Sequence, residues 1–347
     1  MKLVTLTFGK DKTAIIKGFA IVFMIILHCG DQGWYSETIP AFSTHSTLPR
    51  YFSIFKLCVG IFTFMVGLGY AFAKKKDLRY SFTHIKKLLF SFWTILFVFT
   101  VPVIIAKGEW RGFNFLLLNA FGINSEWNWT SWFVAFFIYA MIVMPFISRI
   151  IDKKPIVGAS AMILLTYGIG VIIHEVVPNY SSNDWTQRLF DCMLTSPTMI
   201  LGYLFAHERW FCKVKVPKHW SMVSLSILLV IAVFVMRFFL GAVAAFNFDF
   251  FYAPLFIFAI LVIFNLCRLP LLTKVMTTLG NVSVYMWFFH ALFFTGVVRS
   301  TYQPFIMVSH SLFIIVPWTI LLTFCCSWVI KKTVNKGQQM IVKNKKI

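Results

Sequence analysis

The chain has 347 residues, of which 59% are hydrophobic, 18% aromatic and only 13% charged, and its mean hydropathy is +0.80. Soluble domains carry about a quarter charged residues, so this composition excludes a water-soluble enzyme and describes a polytopic membrane protein. A net charge of +20 would indicate nucleic acid in a soluble chain; here it reads as basic cytoplasmic loops, with no nucleic-acid partner.

A bilayer span needs about 20 mostly apolar residues. The opening MKLVTLTFGKDKTA is short and basic. The run after it contains Lys17 and ends in HCGDQGW without a small-residue cleavage site, so 14–30 reads as an uncleaved first span. Nine more runs follow at 53–73, 83–106, 129–151, 156–174, 190–207, 221–240, 249–267, 279–298 and 309–330. The piece GFNFLLLNAFGI (112–123) is too short to cross and reads as interfacial or re-entrant. The expected fold is all-α, a polytopic integral membrane bundle of about ten transmembrane helices over residues 1–335. A basic cytoplasmic tail, KGQQMIVKNKKI (336–347), would follow on anionic lipid.

The loops orient this bundle. With the N-terminus inside, the inner segments hold 22 Lys and Arg and the outer segments five. One missed span would exchange every later loop, so the asymmetry supports an even number of spans and both termini cytoplasmic. The expected location is the plasma membrane, multi-pass, of bacterial cytoplasmic type. Seven cysteines without C-x-x-C form neither a disulfide framework nor a zinc site, and no metal is expected. G-x-x-x-x-G-K-[ST], H-E-x-x-H and G-x-S-x-G are all missing, which removes support for an ATP-driven pump or a serine hydrolase.

The outer loops concentrate Asp31, Glu37, Glu109, Glu126, Glu175 and Asp184 together with many aromatics, densest in NSEWNWTSW (124–132). Such aromatics serve as interface belts in any membrane protein. They also suit a sugar-binding surface, with Trp129, Trp132 and Glu126 as candidates.

Inside the spans, Lys17 and His28 are eleven residues apart. That is three turns plus about 20°, so they share a helix face, with their Cα atoms about 16 Å apart along the axis. They cannot touch in a straight helix. A ligand reaching both must be long, anionic at its inner end and reactive at its outer end. Snorkelling of Lys17 to the inner headgroups is the plain alternative. Lys86 and Lys87 open the third span and either snorkel or bind phosphate. Trp132 and Tyr139 share a face of the fourth span, for packing or acceptor contact. His290 falls in the middle of the ninth run, as a packing or catalytic histidine. Arg237 and Asp249 flank one outer connection as a structural pair. Cys29 is turned about 100° from His28 and reads as filler. Asp31, three residues past His28, would orient the imidazole if the helix continues that far.

Four stretches resemble the acyltransferase-3 family of membrane-bound O-acyltransferases: a basic residue, ten residues and a histidine in IIKGFAIVFMIILH; CVGIFTFMVGLGYAFAKK (58–75); SWFVAFFIYAMIVMP (131–145); and LGNVSVYMWFFHALFF (279–294). The chain departs from the family at Val66-Gly67, where Ser-Gly is common, and at Lys17, Lys86 and Lys87, where arginines are usual. The resemblance implies acetyl-CoA (acyl-CoA) as a donor substrate, with no bound cofactor. It also implies a cell-surface or lipid-linked polysaccharide as acceptor and the lipid bilayer as surroundings. His28 would be catalytic, Lys17, Lys86 and Lys87 would bind the donor, and Trp132, Tyr139, Glu126, Trp129 and His290 would bind the acceptor or serve structure. His28 would act as general base or carry a transient acetyl group. The alternatives are a transporter or flippase for a small anion or lipid-linked sugar, and a surface-polymer polymerase or ligase.

Overall fold

The computed structural model describes residues 3–30, 48–240 and 248–344. Asp31 and Glu37, named above, lie outside the described residues. A short strand, β1 (Leu3–Thr5), precedes α1 (Lys10–Cys29). The second span runs through α2 (Leu48–Phe52), a 3-10 turn and α3 (Leu57–Ala71). The third runs from α4 (Leu78–Ile95) through a π turn at Leu96–Thr100 into α5 (Val101–Ala106). Next come α6 (Phe113–Ala120), α7 (Trp132–Lys153), α8 (Pro155–Val176), α9 (Asp184–His207), α10 (Trp210–Lys213) and strand β2 (Lys215–Pro217). The chain continues with α11 (Trp220–Leu240), α12 (Asp249–Leu266), α13 (Pro270–His290), α14 (Gly296–Tyr302) and α15 (Leu312–Asn344).

Local chemistry sets several of these boundaries. Asp77 caps α4 by accepting from the Tyr80 N–H at 2.7 Å, and Asn183 caps α9 by accepting from Trp185 and Thr186. Proline opens α8 and α13, where the lost N–H has no partner to lose. The π turn of the third span sits beside Pro102, which has no N–H for the α-helical ladder. The eight-residue α6 confirms that 112–123 does not cross.

Among the described residues, nine helices are long and apolar enough to span, and a tenth is completed only as a broken pair. There Pro270–Phe293 and Gly296–Phe305 meet at 89°. This corrects the ninth run, read as 279–298. The helix starts nine residues earlier, at Pro270, because Thr and Lys274 in its first turns dilute hydropathy without breaking a helix. It ends correspondingly earlier, so His290 is at the last turn rather than mid-membrane.

β1 pairs antiparallel with β2, Val4 opposite Val216, and Thr7 bonds Asn265 at the end of α12. The N-terminus therefore shares one face with the connections after the sixth and eighth spans, as even parity requires. At α7, Asp152 accepts from Tyr203 and pairs with Lys76 at 3.1 Å and His207 at 3.2 Å, tying the α3–α4 turn to α7 and α9.

Two glycine crossings organise the core. A Cβ on Gly18 would lie 2.1 Å from the Met276 carbonyl oxygen, and one on Gly280 would lie 1.8 Å from that of Ala14. The backbones of α1 and α13 touch there. The same holds for α3 and α9, where Gly67 meets Met199 and Gly202 meets Phe64. Gly67, half of the departing Val-Gly pair, is thus a packing glycine. Small residues that let backbones approach are how helices associate in lipid, where apolar burial gives little drive.

Candidate functional site

The α1–α13 crossing sets the depth of two histidines. His28 lies ten residues beyond Gly18, and His290 ten beyond Gly280. Both therefore sit about 15 Å above the crossing, on parallel helices. Their rings stack with centroids 5.2 Å apart and planes 13° apart. His28 is buried at 7% exposure and His290 at 0%. The Nδ1–H of His290 donates to the Met286 carbonyl at 2.9 Å, which leaves its Nε2 a bare acceptor, buried and without a partner among the described residues.

The NSEWNWTSW loop completes this corner. Asn128 donates to the Phe288 carbonyl at 3.0 Å, and Thr130 and Trp287 exchange bonds through their carbonyls and side chains. These contacts lock the loop to the end of α13. Trp129 then meets His28 edge-to-face at 4.2 Å, with its indole N–H buried and without an acceptor among the described residues. The neighbouring tryptophans go elsewhere. Trp127 is buried against Trp110 and Phe115, while Trp132 borders a cavity. Glu126 points away into an exposed pair with Arg111 at 2.6 Å. Tyr139 lies deeper, its hydroxyl accepting from Ser196 at 3.3 Å.

The cavity holds about 930 Å³ and is walled by His28, Trp129, Trp132, Tyr180, Asp191 and Tyr252, among others. That is within the range of small-molecule sites, about 300–1,000 Å³. Two ion pairs stand in its wall: Arg188–Asp191 at 2.6 Å and Arg237–Asp249, the pair expected from sequence. Arg188 is further fixed by the Ile123 carbonyl and Ser125. Lys56 also lines the cavity.

Lys17 is not on this wall. It is half-buried at the inner end of α1, close enough to Lys331 of α15 for the two charges to act on one another. Lys331 donates to the Asn281 carbonyl at 2.7 Å. Lys86 and Lys87 are exposed on α4, and no contact brings them to Lys17 among the described residues.

Between Lys331 and the histidines runs a feature sequence reading missed. Along the middle of α15, the positions turned fully inward are Thr319, Thr323 and Ser327, each at 0% exposure and without a hydrogen-bond partner among the described residues. Leu321, Trp328 and Val329 face outward. Spaced four apart, the hydroxyls form one stripe with Lys331. Thr323 is eight residues from Lys331 along its helix, as Phe289 is from Asn281, so Thr323 lies within about a turn of His290 in depth. The signal was present as hydroxyls at every fourth position ending on a lysine. The Arg188–Asp191 pair left only an i,i+3 spacing, and Lys56 only a cation near a span end.

Among the described residues, no group of His, Cys, Asp and Glu is arranged to hold a metal ion. Compared with known proteins, residues 14–332 match the family described as an acyltransferase domain. No curated protein and no solved structure matches.

Proposed function

The chain belongs to the acyltransferase-3 family, and from that premise, a multi-pass membrane acyltransferase, we propose that it moves an acetyl group from acetyl-CoA to a hydroxyl of a cell-surface or lipid-linked polysaccharide. The observation that carries this reading is the position of His28. It borders the cavity on one side and lies near the depth reached by the hydroxyl stripe on the other.

The donor enters from the inner face. Lys17 and Lys331 form a cationic mouth for CoA phosphates. The stripe of Ser327 and Thr323 offers unused hydroxyls to the amides of the pantetheine arm. Lys86 and Lys87 are assigned to the outer rim of that mouth. The acceptor occupies the cavity, with sugar faces against Trp129 and Trp132. Tyr139, behind this wall, supports α9 rather than the sugar.

His28 takes the proton of the acceptor hydroxyl as the oxygen attacks the thioester carbonyl. The tetrahedral intermediate collapses with cleavage of the C–S bond. The CoA thiolate leaves and is protonated by the imidazolium, and the ester stays on the sugar. The Trp129 indole N–H is the donor available to the oxyanion, since it is buried beside His28. His290 Nε2 accepts from His28 or from the hydroxyl, holding the base in its working orientation.

Purified protein in lipid, given labelled acetyl-CoA and polysaccharide, is expected to place label on the polymer as an alkali-labile ester. Label that stays on CoA with every carbohydrate tried would refute the reading. Trp129→Phe keeps the ring and removes the N–H, and is expected to lower kcat about 10²-fold with little change in KM. Lys17→Ala is expected to raise the apparent KM for acetyl-CoA at near-constant kcat; an unchanged KM counts against its donor role.

A further inference from the structure

Among the described residues, the wall of the cavity beside His28 holds one more cation than anions. It contains Lys56, Arg188 and Arg237 as cations and Asp191 and Asp249 as anions. Arg188 is spent on Asp191, and Arg237 on Asp249. His174, also on the wall, is paired with its neighbour Glu175 at 2.8 Å. Lys56 has no anionic partner among the described residues. It lines the same cavity as His28 and Asp191.

Arg237 adds a second, independent sign. Its side chain is only 8% exposed, yet its Nε–H has no acceptor among the described residues. A buried guanidinium donor left without a partner is unfavourable, because it has given up water and gained nothing in return. Its pairing partner Asp249 packs on Gly60, where a Cβ would come within 2.6 Å, so the pair is held at this depth by a close helix contact. The wall thus holds one charged ammonium and, buried within it, one guanidinium N–H without an acceptor among the described residues. Around them stand Trp129, Trp132, Tyr180 and Tyr252, rings suited to sugar faces. A neutral sugar would use the rings and leave the cationic groups unanswered. A sugar bearing an anion answers both.

We propose that the acceptor is an anionic glycan, and that Lys56 and the Arg237 Nε–H hold its carboxylate or phosphate inside the cavity while His28 deprotonates a hydroxyl of the same or the adjoining sugar. This rests on the acyl-transfer reading for the second half of its statement, whereas the anion site stands on the cavity alone.

The test separates the two. The full-length protein in lipid nanodiscs is titrated with D-glucuronate, glycerol 3-phosphate and D-glucose, and binding is read from the thermal unfolding midpoint. At least one anion is expected to bind tenfold or more tighter than glucose, and which one does identifies carboxylate or phosphate as the source. The preference should shrink in high salt, since charge contacts are screened. Lys56→Gln should remove it, and Lys56→Arg should keep it. Lys56 is exposed, so both variants are expected to fold. Binding of glucose as tight as that of both anions overturns the proposal, as does a preference that survives in Lys56→Gln. In parallel, labelled acetyl-CoA is supplied with a glucuronate-containing oligosaccharide and its carboxyl-reduced counterpart. Lys56-dependent anion binding without transfer to either keeps the anion site and removes the acyl-transfer reading. Equal transfer to both oligosaccharides keeps the acyl-transfer reading and overturns the anionic acceptor.

Discussion

His28→Ala is expected to reduce acyl transfer by about 10²–10⁴-fold, the usual contribution of a positioned general base. The reason is geometric before it is chemical. Among the described residues, His28 and His290 are the imidazoles at this corner, and the ring nitrogen of His290 toward Met286 is already committed to a carbonyl. With His28 gone, the base remaining at this corner is one turned to positioning, and among the described residues no carboxylate of the wall is unpaired. His28→Gln fills nearly the same space and should fail equally, which separates lost basicity from lost packing. Both variants should keep the wild-type elution volume and a thermal midpoint within a few degrees. A variant that is folded and fully active would remove His28 from the chemistry. His290→Gln keeps a hydrogen-bonding group and is expected to cost less, about tenfold, in kcat.

The second large effect is on structure. Gly280→Val is expected to destabilise the protein and abolish transfer together. The first added carbon would lie 1.8 Å from the Ala14 carbonyl oxygen and 3.0 Å from the Gly18 nitrogen, both backbone atoms that no rotamer change can move. The helices must separate. Overpacking of this kind costs about 1–3 kcal/mol, and the displacement is carried to the histidines two to three turns further on. Gly69→Val is the control, because nothing lies within 4 Å of a Cβ there. The comparison is made by thermal unfolding and initial rate. Gly280→Val with a wild-type midpoint and rate would show that the crossing does not set the site, whereas Gly69→Val should be silent in both.

These two expectations differ in how far the sequence anticipated them. Lys17 and His28 belong to one helix, so the 3.6-residue repeat alone places them on one face about 16 Å apart. Gly280 and its partner Gly18 each lay in a stretch that carried the resemblance, LGNVSVYMWFFHALFF and IIKGFAIVFMIILH, but nothing in either stretch showed that the two meet. The loop NSEWNWTSW stood out by composition, but composition could not say which ring goes where. Trp127 is buried, Trp129 meets the imidazole, and Glu126 leaves for Arg111. The ninth run was misplaced because a hydropathy window reads cost in lipid, whereas helix ends follow proline and backbone bonding. That error carried His290 to mid-membrane on paper and hid its company with His28.

The sequence by itself determined what depends on neighbours along the chain: which segments are long and apolar enough to span, the orientation expected from loop charge, and the shared face of Lys17 and His28. Hydropathy, loop charge and helical period are local quantities, each summed over one segment. Only the tertiary structure decided which segments meet. The stacking of His28 on His290, the cavity pairs Arg188–Asp191 and Arg237–Asp249, and the inward hydroxyls of α15 follow from close helix approach. Such approach depends on small residues allowing two backbones to touch, a complementarity between distant segments that no single segment contains.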